Sequence, residues 1–180
     1  MIRPIVAYGA PVLKIKAEEI DEDYPDLSKL IEDMWETMYA SNGVGLAAPQ
    51  IGLSVRIFVV DAAPFAADDE LDPSEAKSLE SFKKVFINPK IINEEGDSWS
   101  FNEGCLSIPD VREDVTRQEQ ITVEYRDENF KLHSATFDGL AARVVQHEYD
   151  HIEGILFTDH LSSLKRRLIK NKLTAISKGL

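Results

Sequence analysis

The sequence predicts an α+β fold, with mixed or antiparallel β-sheet around a central helix and one further helix toward each end of the chain. Three observations carry this. Apolar residues recur at helical spacing in three separated stretches, and β-rich runs fill the middle of the chain between them. The length of 180 residues is enough for one full hydrophobic core and short for two, so residues 1–180 are expected to form a single domain.

The elements follow in order. Leu27, Leu30, Ile31, Met34, Trp35 and Met38 fall at i, i+3, i+4, i+7, i+8 and i+11, the spacing of an amphipathic helix. Pro25 and Asp26 suit its first turn, and Asn42 and Gly43 its end. Residues 54–61, SVRIFVVD, read as a buried strand. Residues 62–81, rich in Asp, Glu, Ala and Pro, read as an exposed acidic loop. Strands are expected in 84–92, 99–103, 120–126 and 131–137, the last two joined by a hairpin turn at Asp127, Glu128 and Asn129. A helix over 139–152 stops at Gly154. A final helix from Ser162 or Ser163 places Leu164, Leu168, Ile169, Leu173 and Ile176 on one side.

Composition narrows the function. Thirty-two acidic against twenty basic side chains give a net charge of −12, which repels nucleic-acid phosphate over most of the surface and argues against a DNA-binding protein. No apolar run approaches the ~20 residues that span a bilayer, and the first residues do not form a signal peptide. Cys105 is the single cysteine, so no intrachain disulfide can form; a cytoplasmic, reducing environment is expected. The last twenty residues carry six of the basic side chains and no Asp or Glu. An acidic body thus ends in a basic tail.

Two motifs compete to define the chemistry. GVGLAA, at 43–48, satisfies the GxGxx[GA] pattern of a dinucleotide site. That site needs a strand before the glycines and a helix after them. Here a helix precedes them and Pro49 interrupts any helix that follows, so the pattern is a glycine turn. The stretch VVQHEYDHIEG, at 144–154, contains HExxH. One helical turn stacks His147 and His151 on one face, within reach of a single metal ion, and sets Glu148 about 100° around, where it reaches a metal-bound water without being a ligand. Leu140 and Val144 share the histidine stripe and are expected to give the same cavity an apolar wall. A catalytic centre of this type takes a third protein ligand. His160 lies too far along for the extended HExxH patterns and Glu153 too near on the helix, which leaves Cys105 as the remaining soft candidate.

GVGLAAPQIG (43–52), EGCLSIP (103–109) and QHEYDHIEG (146–154), in this order, resemble the three signature motifs of the peptide deformylases, and the resemblance extends over essentially the whole chain. It implies removal of the N-formyl group from N-formylmethionyl peptides. It further implies metal ligation by Cys105, His147 and His151, with Glu148 as acid/base and Gln50 with the backbone N–H of Leu106 binding the oxyanion. Val44, Gly45, Glu103, Gly104, Leu140 and Val144 are then expected around the peptide. One divalent metal is implied, Fe²⁺ as the native ion with Zn²⁺, Ni²⁺ or Co²⁺ as substitutes, although softness alone suits Zn²⁺. In similar bacterial enzymes a C-terminal helix docks on the ribosome, a role the basic tail fits. The motif's usual Val is Ile108 here, and the acidic segment 62–81 is longer than in compact members.

The residues leave alternatives. Another HExxH metallopeptidase differs in the bond attacked. A structural zinc site needs a fourth protein ligand, for which His133 and His160 are candidates. Cys105 as a nucleophile with His147 as base leaves His151 and Glu148 without a role. Asp150 is a candidate partner for a ligand histidine or for Arg117.

Overall fold

A computed structural model describes residues 1–180. Four helices flank one five-stranded antiparallel sheet: α1 (Leu27–Ala40), α2 (Pro73–Glu80), α3 (Gly139–Ile152) and α4 (Ser163–Ser177), with β1 (Gly45–Ala47), β2 (Ile57–Asp61), β3 (Lys83–Cys105), β4 (Ile108–Arg126) and β5 (Leu132–Asp138). The strands are hydrogen-bonded in chain order, β1-β2-β3-β4-β5. The sheet is wholly antiparallel rather than mixed; the one parallel contact is an isolated bridge between Glu18 and Val55.

Why β2 reads as a continuous apolar run is visible in its alternation. Ile57 and Val59 pack with Leu30, Met34 and Met38 of α1, while Phe58 and Val60 pack with Ala142 and Val145 of α3. Side chains of a strand point to opposite faces, so a sheet covered by helices on both sides needs apolar residues at every position. The next strand repeats the pattern, with Val85 and Ile87 toward α1 and Phe86 toward α3. Each such fully buried side chain contributes about 1.5–3 kcal/mol.

Three expectations are corrected. The strands foreseen at 84–92 and 99–103 are one bent strand, β3, whose register shifts at four points against β4; bulges of this kind bend a strand without ending it. The segment 62–81 is not an open loop. It forms a 3₁₀ turn (Ala63–Ala67) and α2, and Leu79 is buried in the core. Asp72 accepts a hydrogen bond from the Ser74 N–H at the start of α2, with Pro73 in its first turn. Finally, Leu164 and Leu168 do not share the buried side of α4. They are 63% and 73% exposed, while Ile169 and Leu173 pack on Leu13, Val111 and Val115. Too narrow an apolar stripe was available for all five residues to face inward. At α1, Asn42 takes the left-handed conformation expected near the helix end, and Gly154 does the same after α3.

Candidate active site

The site forms where the tip of the β3–β4 hairpin meets α3. Cys105 is the last residue of β3, paired with Ile108 across a tight connection of Leu106 and Ser107. This tip sets the thiol against the histidine face of α3. Cys105 Sγ lies 3.3 Å from His151 Nε2, and the ligand atoms of Cys105, His147 and His151 are all within 4.8 Å of one another. One thiolate and two imidazoles at this separation fit a single borderline-soft divalent ion. The other two histidines are occupied elsewhere: His133 bonds Asp127 at 2.6 Å and His160 bonds Asp150 at 2.7 Å. Neither joins the cluster, so the fourth ligand of a structural zinc site is missing.

Glu103 orients the cluster. Its carboxylate, 4% exposed, bonds His147 Nδ1 at 2.9 Å and accepts from Arg117 Nε at 2.8 Å and Arg143 Nη1 at 2.7 Å. With Nδ1–H donated to a carboxylate, His147 keeps the Nε2 lone pair for a metal, the usual carboxylate–histidine–metal arrangement. Burial opposes the charge on Glu103, but the hydrogen bonds from His147 and Arg117 outweigh it and hold the carboxyl well below the ordinary range. Glu103 lines the cavity, as expected of a residue near the peptide, and its carboxylate oxygens are committed to His147 and the two guanidinium groups. Arg117 continues to Asp150 at 2.8 Å, one of the two partnerships foreseen for that residue. We expect Glu103→Gln to weaken metal binding about 10–100-fold, read by chelator competition, because an amide has one accepting oxygen and cannot accept from Arg117 and Arg143 at one end and from His147 Nδ1–H at the other. Unchanged affinity would remove Glu103 from this role.

Glu148 lies on the adjacent stripe of α3, buried, with Oε2 free of any protein partner. Burial pushes its carboxyl up to about 7, a value suited to taking and returning a proton near neutral pH. Gly45 is what admits it. A Cβ on Gly45 would stand 2.6 Å from Glu148 Oε1 and 2.8 Å from Cγ, so any other residue in this edge strand would displace the carboxylate.

Gln50 sits in the 3₁₀ turn Ala48–Ile51, with Pro49 in its first turn. Its Oε1 accepts from the Ala47 N–H at 2.9 Å, while Nε2 donates to Ser107 Oγ at 3.2 Å and approaches Cys105 Sγ at 3.5 Å. The Ala47 bond fixes which way the amide points. Its N–H₂ therefore faces the cluster.

A cavity of about 320 Å³ opens onto these groups. It is lined by Val44, Gly45, Gln50, Glu103, Gly104, Cys105, Leu106, Val144, His147 and Glu148, and His151 is buried beside it. Leu140 is not among the lining residues. One turn nearer the start of α3, it borders a separate cavity with Trp99 and Leu71, and Phe101 is common to both. Six further residues line this site, Asn42, Phe65, Phe101, Asn102, Arg112 and Arg143, and none of them is among the site residues expected from the sequence. Arg143 stands four residues before His147 on the same helix, a position from which a buried arginine beside the ligands was foreseeable. Phe65, inside an acidic segment, gave no such signal.

The comparisons with known proteins agree with this geometry. Residues 2–167 match the family model described as polypeptide deformylase. The chain is 68% identical over 179 residues to a peptide deformylase of Christiangramia forsetii, covering 99% of this chain and 91% of that protein. It is 60% identical to one of Flavobacterium johnsoniae, with the same coverage of each. The crystal structure of the Thermus thermophilus peptide deformylase superposes with a TM-score of 0.85 at 39% identity, each chain covered completely. The chain belongs to the polypeptide deformylase family.

Proposed function

We propose that this chain removes the N-formyl group of formylmethionine from nascent polypeptides, with Cys105, His147 and His151 holding one metal ion, Fe²⁺ in its native form and Zn²⁺, Ni²⁺ or Co²⁺ as substitutes. The observation that carries the reading is the clustering of the three ligand atoms beside a buried carboxylate and a fixed amide donor. A divalent ion held by these three side chains would supply activation of water near neutral pH and Lewis-acid polarisation of a carbonyl.

The residues then act in sequence. Glu148 Oε2 accepts the proton of the attacking water. The Gln50 N–H₂, held by Ala47 and Ser107, and the main-chain N–H of Leu106 receive the negative charge that develops on the formyl oxygen; one such donor typically contributes about 10²–10³ in rate. Glu148 returns the proton to the leaving amine, giving formate and a free amino terminus. Val44 and Val144 offer apolar surface to the first side chain. The test against a general metallopeptidase is the product from a formyl-Met peptide. Formate and an otherwise intact peptide are expected; free formylmethionine would point to cleavage of the next bond instead.

The basic helix supports a second proposal, docking on the ribosome. Arg166, Arg167, Lys170 and Lys172 of α4 are exposed, and Lys165 is the one basic residue of this helix paired with an acidic side chain, Glu113, at 3.6 Å. Contacts of such charges with RNA phosphate weaken steeply with salt. Because Ile169 and Leu173 belong to the core, point substitutions are the cleaner probe. Arg167→Glu with Lys170→Glu is expected to abolish salt-sensitive co-sedimentation with ribosomes and to leave formate release from a free peptide intact. Undiminished co-sedimentation would return the helix to a packing role.

A further inference from the structure

The acidic segment between β2 and β3 supplies one wall of the cavity that holds Cys105, His147 and Glu148. Phe65, in the turn Ala63–Ala67, lines that cavity and meets Phe101 of β3 edge to face, with ring centroids 6.3 Å apart and planes at 78°. Its ring packs against the edge of the core but is only partly buried, which leaves part of it open to the cavity.

The wall is fixed at both ends. Before Phe65, Asp61 Oδ1 accepts from the Ala63 N–H at 3.0 Å, and the Ala62 N–H donates to Phe82 O at 2.9 Å. After it, Leu79 of α2 is buried in the core, and Glu75 Oε1 accepts from the Leu140 N–H at the start of α3 at 3.2 Å. Phe65 is thus carried by a braced segment tied to the helix that bears both histidines. A loose acidic loop would not hold a ring in place.

We propose that Phe65 is a specificity-determining residue: with Phe101 it forms an aromatic slot for the first side chain of the substrate and favours a thioether over an all-carbon chain of equal length. This rests on the reading of the site as one that hydrolyses formyl peptides. In such a substrate the first side chain branches from the carbon next to the formyl nitrogen. With the formyl carbon at the ligand cluster, that side chain must lie against the cavity walls. The apolar part of those walls is Val44, Leu106 and Val144 together with the two rings. Aliphatic walls do not distinguish sulfur from methylene, whereas a sulfur against an aromatic ring gains a contact worth about two- to tenfold in an equilibrium constant. The discrimination therefore comes from the rings.

The experiment compares formyl-Met and formyl-norleucine peptides of otherwise identical sequence on the metal-loaded wild-type enzyme and on Phe65→Leu and Phe65→Ala. Wild-type kcat/KM is expected to favour Met by about two- to tenfold. In Phe65→Leu the ratio falls toward one, through KM rather than kcat, with metal content little changed. Phe65→Ala lowers it at least as far and raises KM for both peptides. A purely structural role would depress both substrates alike and leave the ratio standing. The proposal is overturned by a wild-type ratio of one, or by an unchanged ratio in both variants. Absence of formate from either peptide with the wild-type enzyme would instead strike the reading of the reaction itself.

Discussion

Replacement of Glu148 by glutamine is expected to lower kcat by about 10²–10⁴-fold, the usual contribution of a positioned acid/base, while the protein keeps its full metal content. Glutamine preserves the volume pressed against Gly45 and cannot take a proton from water. Glu148 lies outside the group formed by Cys105, His147 and His151, so the ligand set is untouched. The alanine variant should behave alike in metal content and lose at least as much turnover. Metal analysis and formate release measured on one preparation separate the two effects. If metal and activity declined in parallel, Glu148 would be a ligand or a packing residue, and the proton transfer would need another carrier.

Cys105→Ala should have the larger consequence for the protein as isolated: loss of the metal, and with it of formate release. The substitution removes one of three ligands and the only thiolate. The two histidines left on α3 form a weaker site, because a soft anionic donor contributes both charge and covalency to the bond. The hairpin tip itself should persist, since Ile108, Val111 and Val115 anchor β4 in the core independently of the thiol. Dialysis against a chelator, followed by elemental analysis, gives the readout. Retention of a full equivalent of metal with wild-type turnover would exclude Cys105 as a ligand and reopen a site built on the helix alone.

Much of this site is legible in the sequence because its central pieces follow local rules. The i, i+4 spacing of His147 and His151 needs only a helix to become a ligand pair, and the Pro49 turn needs only its own residues to present Gln50. Cys105 could be read because it is the only cysteine in the chain. What escaped was tertiary. Glu103 reads as the end of a strand beside the peptide, and its hold on His147 emerges only when β4 brings Arg117 and α3 brings Arg143 and His147 around it. The segment 62–81 is acidic in composition, yet Leu79, Phe65 and Glu75 at separated positions decide its fate, and composition averages them away. The place of Leu140 shows a related effect. A helical wheel gives the face of a residue but not how far along the helix a cavity extends, and one turn was enough to carry Leu140 into the neighbouring space.

The claim that joins these parts is that one ion, held by Cys105, His147 and His151, makes the site competent to hydrolyse a formamide. Anaerobic titration of metal-free protein with Fe²⁺ or Ni²⁺, following formate release from a formyl-Met peptide, tests it most directly. Activity should be absent at the start, rise in proportion to added metal and reach its plateau at one ion per chain. Full turnover by the metal-free protein, or a plateau reached only at two ions per chain, would contradict it.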